Sequence, residues 1–249
     1  MQIIKGKKQS PPRIVIYGQD KIGKSTFAAQ ADSPLFLPTE EGVDELGPDR
    51  FPLLTSSEAI LHALKEAGQS KDHRTVVLDN LSGTEDMIHA EIAKKAGVRS
   101  IAEIEYGKGY AQAHGVWERI IAGLDYCRDQ GKAVIIIGHS QVRRAEDPDT
   151  VPYDQWTLDL HKGASALFRR WADVIAYAAQ KVTIDEEKAA FGEKIRRAVS
   201  HGDKRVLHLT GSPSHVAGNR YGLPASCALS WQAFVASFPK QQANNTEQK

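Results

Sequence analysis

Residues 13–27 read Arg-Ile-Val-Ile-Tyr-Gly-Gln-Asp-Lys-Ile-Gly-Lys-Ser-Thr-Phe. The apolar first part is typical of a buried strand, and Gly18, Gly23, Lys24 and Ser25 have the spacing of a phosphate-binding loop. Glycines let the backbone turn its N–H groups toward a phosphate, and the positive end of the following helix adds to the attraction. The stretch therefore predicts a strand, a P-loop and a helix that bind a nucleoside triphosphate.

The predicted loop also assigns roles to single side chains. The backbone and side chains expected to surround the nucleotide are those of Gly18, Gln19, Asp20, Lys21, Ile22, Gly23, Lys24, Ser25 and Thr26. Lys24 would reach the β- and γ-phosphates, and the Ser25 hydroxyl would hold Mg²⁺. Asp20 is unusual because it places an acid beside the phosphates, and the sequence offers no physical reason for it.

Composition narrows the class of protein. A chain of 249 residues can bury one α/β core with a small extension. A net charge of +1 argues against a protein that grips nucleic acid over its whole surface, although local basic patches remain compatible with it. Cys127 and Cys227 lack metal-site spacing, and neither a signal-peptide core nor a membrane-spanning apolar run is present. We therefore expect a soluble protein of the (bacterial) cytoplasm.

Strand-like and helix-like segments alternate along the chain. Apolar runs predict strands at residues 35–37, 75–80, 133–138 and 173–177, with amphipathic helices between them. This order predicts an α/β fold with a mostly parallel, twisted central sheet, helices on both faces and the ligand at the carboxyl ends of the strands. Later segments, a possible hairpin at residues 181–200 and strands at 206–209 and 228–230, predict an antiparallel C-terminal extension.

The predicted domain organisation is simple. Residues 1–12 form a flexible basic arm, residues 13–238 a single domain, and residues 239–249 a polar, disordered tail. Residues 141–156 are polar and aperiodic, which predicts a mobile loop. The glycines at residues 106–110 predict another loop, before a long helix that runs towards Gln130.

Two helix starts carry the capping-box pattern, in which a hydroxyl residue precedes an acid by three positions. Thr55 with Glu58 would open one helix, which we expect to run through Ala67. Ser82 with Glu85 would open the next one.

Carboxylates follow two of the predicted strands. Asp79 directly follows Val-Val-Leu, the Walker B arrangement, and would hold Mg²⁺ through its water shell. Glu40 and Glu41 follow the strand at residues 35–37, and one of them, with Glu40 preferred, could accept the proton of an attacking water. The alternatives are an ordinary turn aspartate and solvated loop acids.

Polar side chains also end the strand at residues 133–138. His139, Ser140 and Gln141 could hydrogen-bond the γ-phosphate and report its loss to the following segment. Arg143 and Arg144 could contact a phosphate backbone, or they could form ion pairs with the acids that follow them.

Two features late in the chain stay open on the residues alone. Arg220, in a turn that Gly222 and Pro224 shape, could be an arginine finger acting in trans within an oligomer, or it could be a surface residue. Trp156 could stack on a base or pack at the rim of the core.

The order of these segments resembles the ATPase core of the RecA/DnaB superfamily. Thr39-Glu40-Glu41-Gly42 is similar to its Asp-Thr-Glu-Gly turn, residues 139–143 to its sensor segment, and residues 217–224 to its Ala-Lys-Asn-Arg-x-Gly segment, with Gly218 where the lysine is expected. Over roughly residues 13–236, the layout resembles phage-encoded RecA-like ATPases of the AAA type, some of which act in single-strand annealing or recombination.

The resemblance implies Mg²⁺-dependent ATP hydrolysis with the catalytic residues Lys24, Glu40, His139, Gln141 and Arg220, and with Ser25 and Asp79 at the metal. It also implies a ring or filament of copies on single-stranded DNA, with phage or host replication and recombination proteins as further partners. Two other functions remain open: a P-loop kinase for a nucleotide or small molecule, and a nucleotide-dependent scaffold or loader with little hydrolysis.

Overall fold

A computed structural model describes residues 10–146, 148–188 and 194–239, and the side chains among these outside residues 182–203. The strands are β1 (Arg13–Gly18), β2 (Pro34–Pro38), β3 (Asp49–Arg50), β4 (Thr75–Asp79), β5 (Ala133–Ala145), β6 (Tyr153–Leu158), β7 (Val174–Lys188), β8 (Lys194–His208), β9 (Gly218–Asn219) and β10 (Ser226–Ala228). The helices are α1 (Lys24–Ala29), α2 (Ser57–Gln69), α3 (Leu81–Ala96), α4 (Lys108–Asp129), α5 (Lys162–Trp171) and α6 (Trp231–Ala236). Most of the arm and tail predicted at the chain ends lies outside the described residues.

One sheet organises the described chain, in the order β10-β8-β7-β1-β5-β4-β2-β3. The strands from β3 to β7 in this order run parallel, whereas β8 and β10 are antiparallel to their neighbours. β1 lies at the centre, so the loop after Gly18 emerges between His139 of β5 and Ala178 of β7, where the parallel pairing with β1 ends. The predicted α/β fold class is confirmed, with a mostly parallel central sheet, helices on both faces and antiparallel C-terminal strands.

The sheet is covered on both faces, and the middle residues of its central strands β1, β4 and β5 are apolar on both sides. Val15 and Tyr17 of β1 point to a core shared with α2, α3, α4 and α5. Ile14 and Ile16 point to the opposite core, where Phe27 of α1 packs edge-on against Phe234 of α6. The period of two along β1 thus divides its side chains between the two layers.

The residues that cap two helices differ from the predicted ones. Ser56, not Thr55, caps α2 by accepting a hydrogen bond from the backbone N–H of Ala59. Asn80, not Ser82, caps α3 and accepts from the N–H of Gly83. Neighbouring hydroxyl and amide residues compete for the same position, and the path of the chain out of the preceding segment decides between them.

Two predicted loops are largely ordered elements. Residues 141–156 were expected to be mobile, but β5 continues to Ala145 and pairs antiparallel with β6. Residues Tyr153 to Leu158 form a strand because they pair with β5. No alternation of apolar and polar residues in this segment predicts that strand. Within residues 106–110, the helix α4 already begins at Lys108, after a turn in which Tyr106 has φ of 56°.

The hairpin predicted at residues 181–200 is present in the backbone: β7 and β8 pair antiparallel over most of their length. Among the described residues, no helix is long and apolar enough to cross a lipid bilayer.

Candidate nucleotide-binding site

The loop after β1 has the backbone that a phosphate cradle needs. Gly23 has φ of 107° and begins α1, a conformation that favours glycine. A Cβ atom on Gly18 would lie 2.4 Å from the carbonyl oxygen of Ala178 in β7, so no side chain fits there. Both glycines are therefore required by the positions that the neighbouring strand and helix impose.

Lys24 is buried within this loop. Its Nζ donates to the carbonyl oxygens of Gly18, at 2.9 Å, and Gln19, at 2.8 Å. Burial lowers the pKa of its ammonium group, although nearby carboxylates oppose that effect. The lysine therefore lies at the floor of the loop, where it would meet the phosphates.

Ser25 and Asp79 form the second part of the site. The Ser25 hydroxyl donates to Oδ2 of Asp79 at 2.8 Å, and burial raises the pKa of that carboxyl group. Hydroxyl and carboxylate oxygens are the ligands that Mg²⁺ prefers, and this ion keeps several waters and phosphate oxygens, so two protein ligands suffice. The two side chains fit such an ion.

His139 lies between three polar partners. Its Nε2 is 3.4 Å from Oε1 of Glu40 and 2.9 Å from Nδ2 of Asn80, and its Nδ1 is 2.6 Å from Oδ1 of Asp20. The contact between Nδ1 of His139 and Oδ1 of Asp20 is an ion pair when the imidazole is protonated, and its geometry is not that of a hydrogen bond.

The partners of His139 favour opposite protonation states. Glu40, by its hydrogen bond, raises the pKa of the imidazole, and the contact lowers the pKa of Glu40 in return. Asn80 caps α3 through Oδ1, which turns its Nδ2 toward Nε2 and requires that nitrogen to accept. His139 is thus placed to respond to a change of charge in the pocket.

A pocket of about 720 Å³ joins these groups and is large enough for a nucleotide. Five carboxylates face it against three cationic side chains: Asp20, Glu40, Glu41, Glu45 and Asp79 against Lys21, Lys24 and Arg205. An excess of acid in a phosphate pocket favours a ligand that brings its own cation.

A family model described as "AAA domain" matches residues 10–221. This chain belongs to the AAA domain family. Among curated proteins no relative matches. Among solved structures, the chain is similar to a KaiC-like protein from the archaeon Pyrococcus horikoshii, with 13% identity and a TM-score of 0.39 over 81% of this chain and 87% of that one. At this level the structural similarity adds no argument about activity.

Membership of the AAA domain family agrees with a P-loop ATPase site. Most of the residues predicted for that site lie together in the structure. Lys24, Ser25, Glu40, Asp79 and His139 all line the same pocket. Gln141 does not: its Nε2 donates to the carbonyl oxygen of Leu158 across the β5–β6 hairpin.

In the β5–β6 hairpin, Arg143 and Trp156 face the protein, whereas Arg144 is exposed. Arg143 donates to the carbonyl oxygen of Leu160 at 2.5 Å. Trp156 stacks on Tyr177, with 6.2 Å between ring centroids, so its ring packs within the protein.

Arg220 lies at the far end of the sheet from the P-loop. Arg220 contacts Asp173, which also binds Arg13 at the start of β1. The P-loop follows the other end of β1, and at ~3.3 Å per residue the strand is about 17 Å long. The guanidinium of Arg220 donates to Asp173 at 3.1 Å and to the carbonyl oxygen of Arg170 at 2.7 Å. The side chain is 56% exposed, so it faces outward, away from the pocket of its own chain.

Three residues at the site were not predicted. Arg205 of β8 donates to the carbonyl oxygen of Ile22 and lines the pocket, although nothing around it in the sequence marks it. Thr39 accepts from the N–H of Asn80 and donates to its carbonyl oxygen, which joins the Glu40 turn to the end of β4. Two of the three had a signal in the sequence: Thr39 belongs to the turn that contains Glu40, and Asn80 directly follows Asp79.

Proposed function

We propose that this protein is a Mg²⁺-dependent ATPase that assembles in copies on single-stranded DNA and acts in phage recombination, single-strand annealing or replication. The observation that carries the ATPase part is the convergence of Lys24, Ser25, Glu40, Asp79 and His139 on one pocket at the carboxyl ends of parallel strands. The DNA part rests on the resemblance to phage RecA-like ATPases.

The chain's own residues divide the chemistry. Lys24 would bind the β- and γ-phosphates, and Ser25 and Asp79 would hold the ion, which when bound neutralises phosphate charge. Glu40, kept ionised by His139, would accept a proton from the water whose oxygen bonds to the γ-phosphorus as the bond to ADP breaks.

The trans role of Arg220 is supported by its place. An exposed guanidinium at the opposite end of β1 from its own P-loop can meet the nucleotide of a neighbouring copy when subunits pack head to tail. Gly218 leaves Arg220 without the second cation that the resembled segment carries.

Steady-state ATP hydrolysis, with and without single-stranded DNA, tests the proposal. We expect Lys24→Ala to lose ATP binding and Glu40→Gln to bind ATP but lose turnover, with Glu41→Gln as the matched control that retains it. Turnover that survives Glu40→Gln would refute the assigned base. Unstimulated turnover would refute the DNA-dependent part alone.

Sizing by light scattering, with and without a nonhydrolysable ATP analogue, tests assembly. We expect the analogue to produce a larger species. We also expect Arg220→Ala to lose ATPase activity. A monomer under both conditions would refute the trans arginine.

A second candidate is a nucleotide-dependent scaffold with little hydrolysis, which the glycine at position 218 favours. It predicts assembly with the analogue and negligible turnover in the wild-type protein.

A further inference from the structure

A second, smaller cavity lies among α3, α4 and the start of α5. It has a volume of about 50 Å³ and shares no lining residue with the nucleotide pocket. Glu85 and His89, one turn apart on α3, face it together with Trp117 of α4 and His161. The cavity is thus a separate polar site within the helical layer.

Buried polar atoms without partners concentrate at this cavity. In the part of the chain that the structure describes, five buried side-chain nitrogen or oxygen atoms lack a hydrogen-bond partner, and three line this cavity: Oε1 of Glu85, Nε2 of His89 and Nε1 of Trp117. Trp117 is 1% exposed and Glu85 8% exposed. An unpaired buried group costs about 1–3 kcal/mol, so three such atoms in one place indicate that the site binds a polar molecule.

The donors and acceptors specify the occupant. The indole N–H of Trp117 can only donate, so it repels a cation, and no group of three metal-ligating side chains occurs among the described residues. The Glu85 carboxylate repels an anion. The remaining chemistry is a neutral molecule that accepts and donates, and the volume holds about three waters.

We propose that this cavity is an internal hydration site, in which ordered water connects Trp117, Glu85 and His89 and exchanges a proton with the Glu85 carboxyl group. Glu85 also joins two helices, because its Oε2 accepts from the backbone N–H of His161 at 2.7 Å where α5 begins. His161 in turn stacks on Tyr110 of α4, with 4.3 Å between ring centroids. The hydrated carboxyl group therefore lies at the junction of all three helices.

The surroundings of Glu85 set its proton affinity. Burial raises its pKa to about 7, and the charges of Asp86 and Asp159 add to that rise. The backbone N–H of His161 and the charge of Arg143 oppose it. The titratable and charged groups that face the site are, from α3, Asp86 and His89; from α4, Tyr110 and His114; from β5, Arg143; and from the start of α5, Asp159 and His161.

Indole N–H spectroscopy tests the water. The Trp117 indole proton should show cross-relaxation to a long-lived water, whereas that of Trp171, which donates to Asp125 at 2.9 Å, should show none. The chemical shift of the Trp117 indole proton should titrate with a midpoint near neutral pH, and Glu85→Gln should abolish the titration. The Trp117→Phe variant assigns the signal. Absence of water contact at Trp117, or a titration that persists in Glu85→Gln, would overturn the proposal.

Stability against pH gives an independent measurement. Because the folded-state pKa is raised, the protonated carboxyl group stabilises the fold fully below the unfolded pKa of 4.5, and that stability is lost as the pH rises through about 7. The unfolding constant of the wild type should therefore rise relative to Glu85→Gln by up to about 300-fold across this interval. His89 and His161 are present in both proteins, so only the part of their titration that depends on the Glu85 carboxylate differs between the curves. Parallel curves would overturn the proton site.

Discussion

Asp20 is the residue of the P-loop whose removal should strengthen nucleotide binding. Its carboxylate is 78% exposed, contacts His139 and faces the pocket with four other acids. Asp20→Asn keeps the size of the side chain and removes the charge. Bound phosphates would then lose a repulsive neighbour, and His139 would lose a partner that competes with them.

The magnitude follows from Coulomb's law. Two unit charges ~6 Å apart in a water-like medium repel by about 0.7 kcal/mol, and a triphosphate brings about two such charges near the loop before screening. Salt at physiological strength removes part of this, which leaves about 1 kcal/mol, or about fivefold tighter ATP binding.

Titration calorimetry with ATP, ADP and AMP is the assay. The gain should be largest for ATP, smaller for ADP and absent for AMP, and it should shrink at high salt. Asp32→Asn is the matched control, because Asp32 lies outside the pocket. Unchanged or weaker ATP binding in Asp20→Asn would refute the electrostatic reasoning and would mean that Asp20 contacts the ligand favourably.

Three further predictions concern stability, each measured by chemical denaturation. Gly18→Ala should destabilise by about 1–3 kcal/mol because its Cβ meets a backbone carbonyl, whereas Gly115→Ala, in open space on α4, should not; equal effects would contradict this. Tyr17→Phe should cost about 1–2 kcal/mol, since the hydroxyl donates to the half-buried carbonyl oxygen of Val216, in the segment before β9. An unchanged unfolding free energy would speak against that bond. Burial opposes ionisation of Asp173, but its hydrogen bonds with Arg13 outweigh it and lower the pKa below 3.8. The ionised Asp173 therefore stabilises the fold above pH 3.8, and this stabilisation is lost as the pH falls through the folded-state pKa. An Asp173→Asn variant that loses the same stability in acid would refute this prediction.

Local patterns were sufficient for the elements that build the sheet. The apolar run before Gly18 and the run at residues 133–138 are buried on both faces, so their composition alone predicts central parallel strands. Their order fixes where their carboxyl ends lie, and this places Glu40, Asp79 and His139 around one loop.

Local patterns failed where long-range pairing decides the structure. The polar residues 141–156 have no period, yet cross-strand hydrogen bonds between β5 and β6 order most of them and turn Gln141 away from the pocket. Glu85 fits a capping box in the sequence, but Asn80 takes the cap and leaves Glu85 to face a cavity formed by three helices.

The P-loop, the alternation of strands and helices, and the acids at the strand ends can be predicted from sequence, because each depends on residues close together in the chain. Three further features follow from the folded chain: Arg205 donates to the carbonyl oxygen of Ile22, Asp20 contacts His139, and Arg220 lies at the far end of the sheet. These contacts join residues from distant segments, and their geometry depends on the packing of the whole sheet.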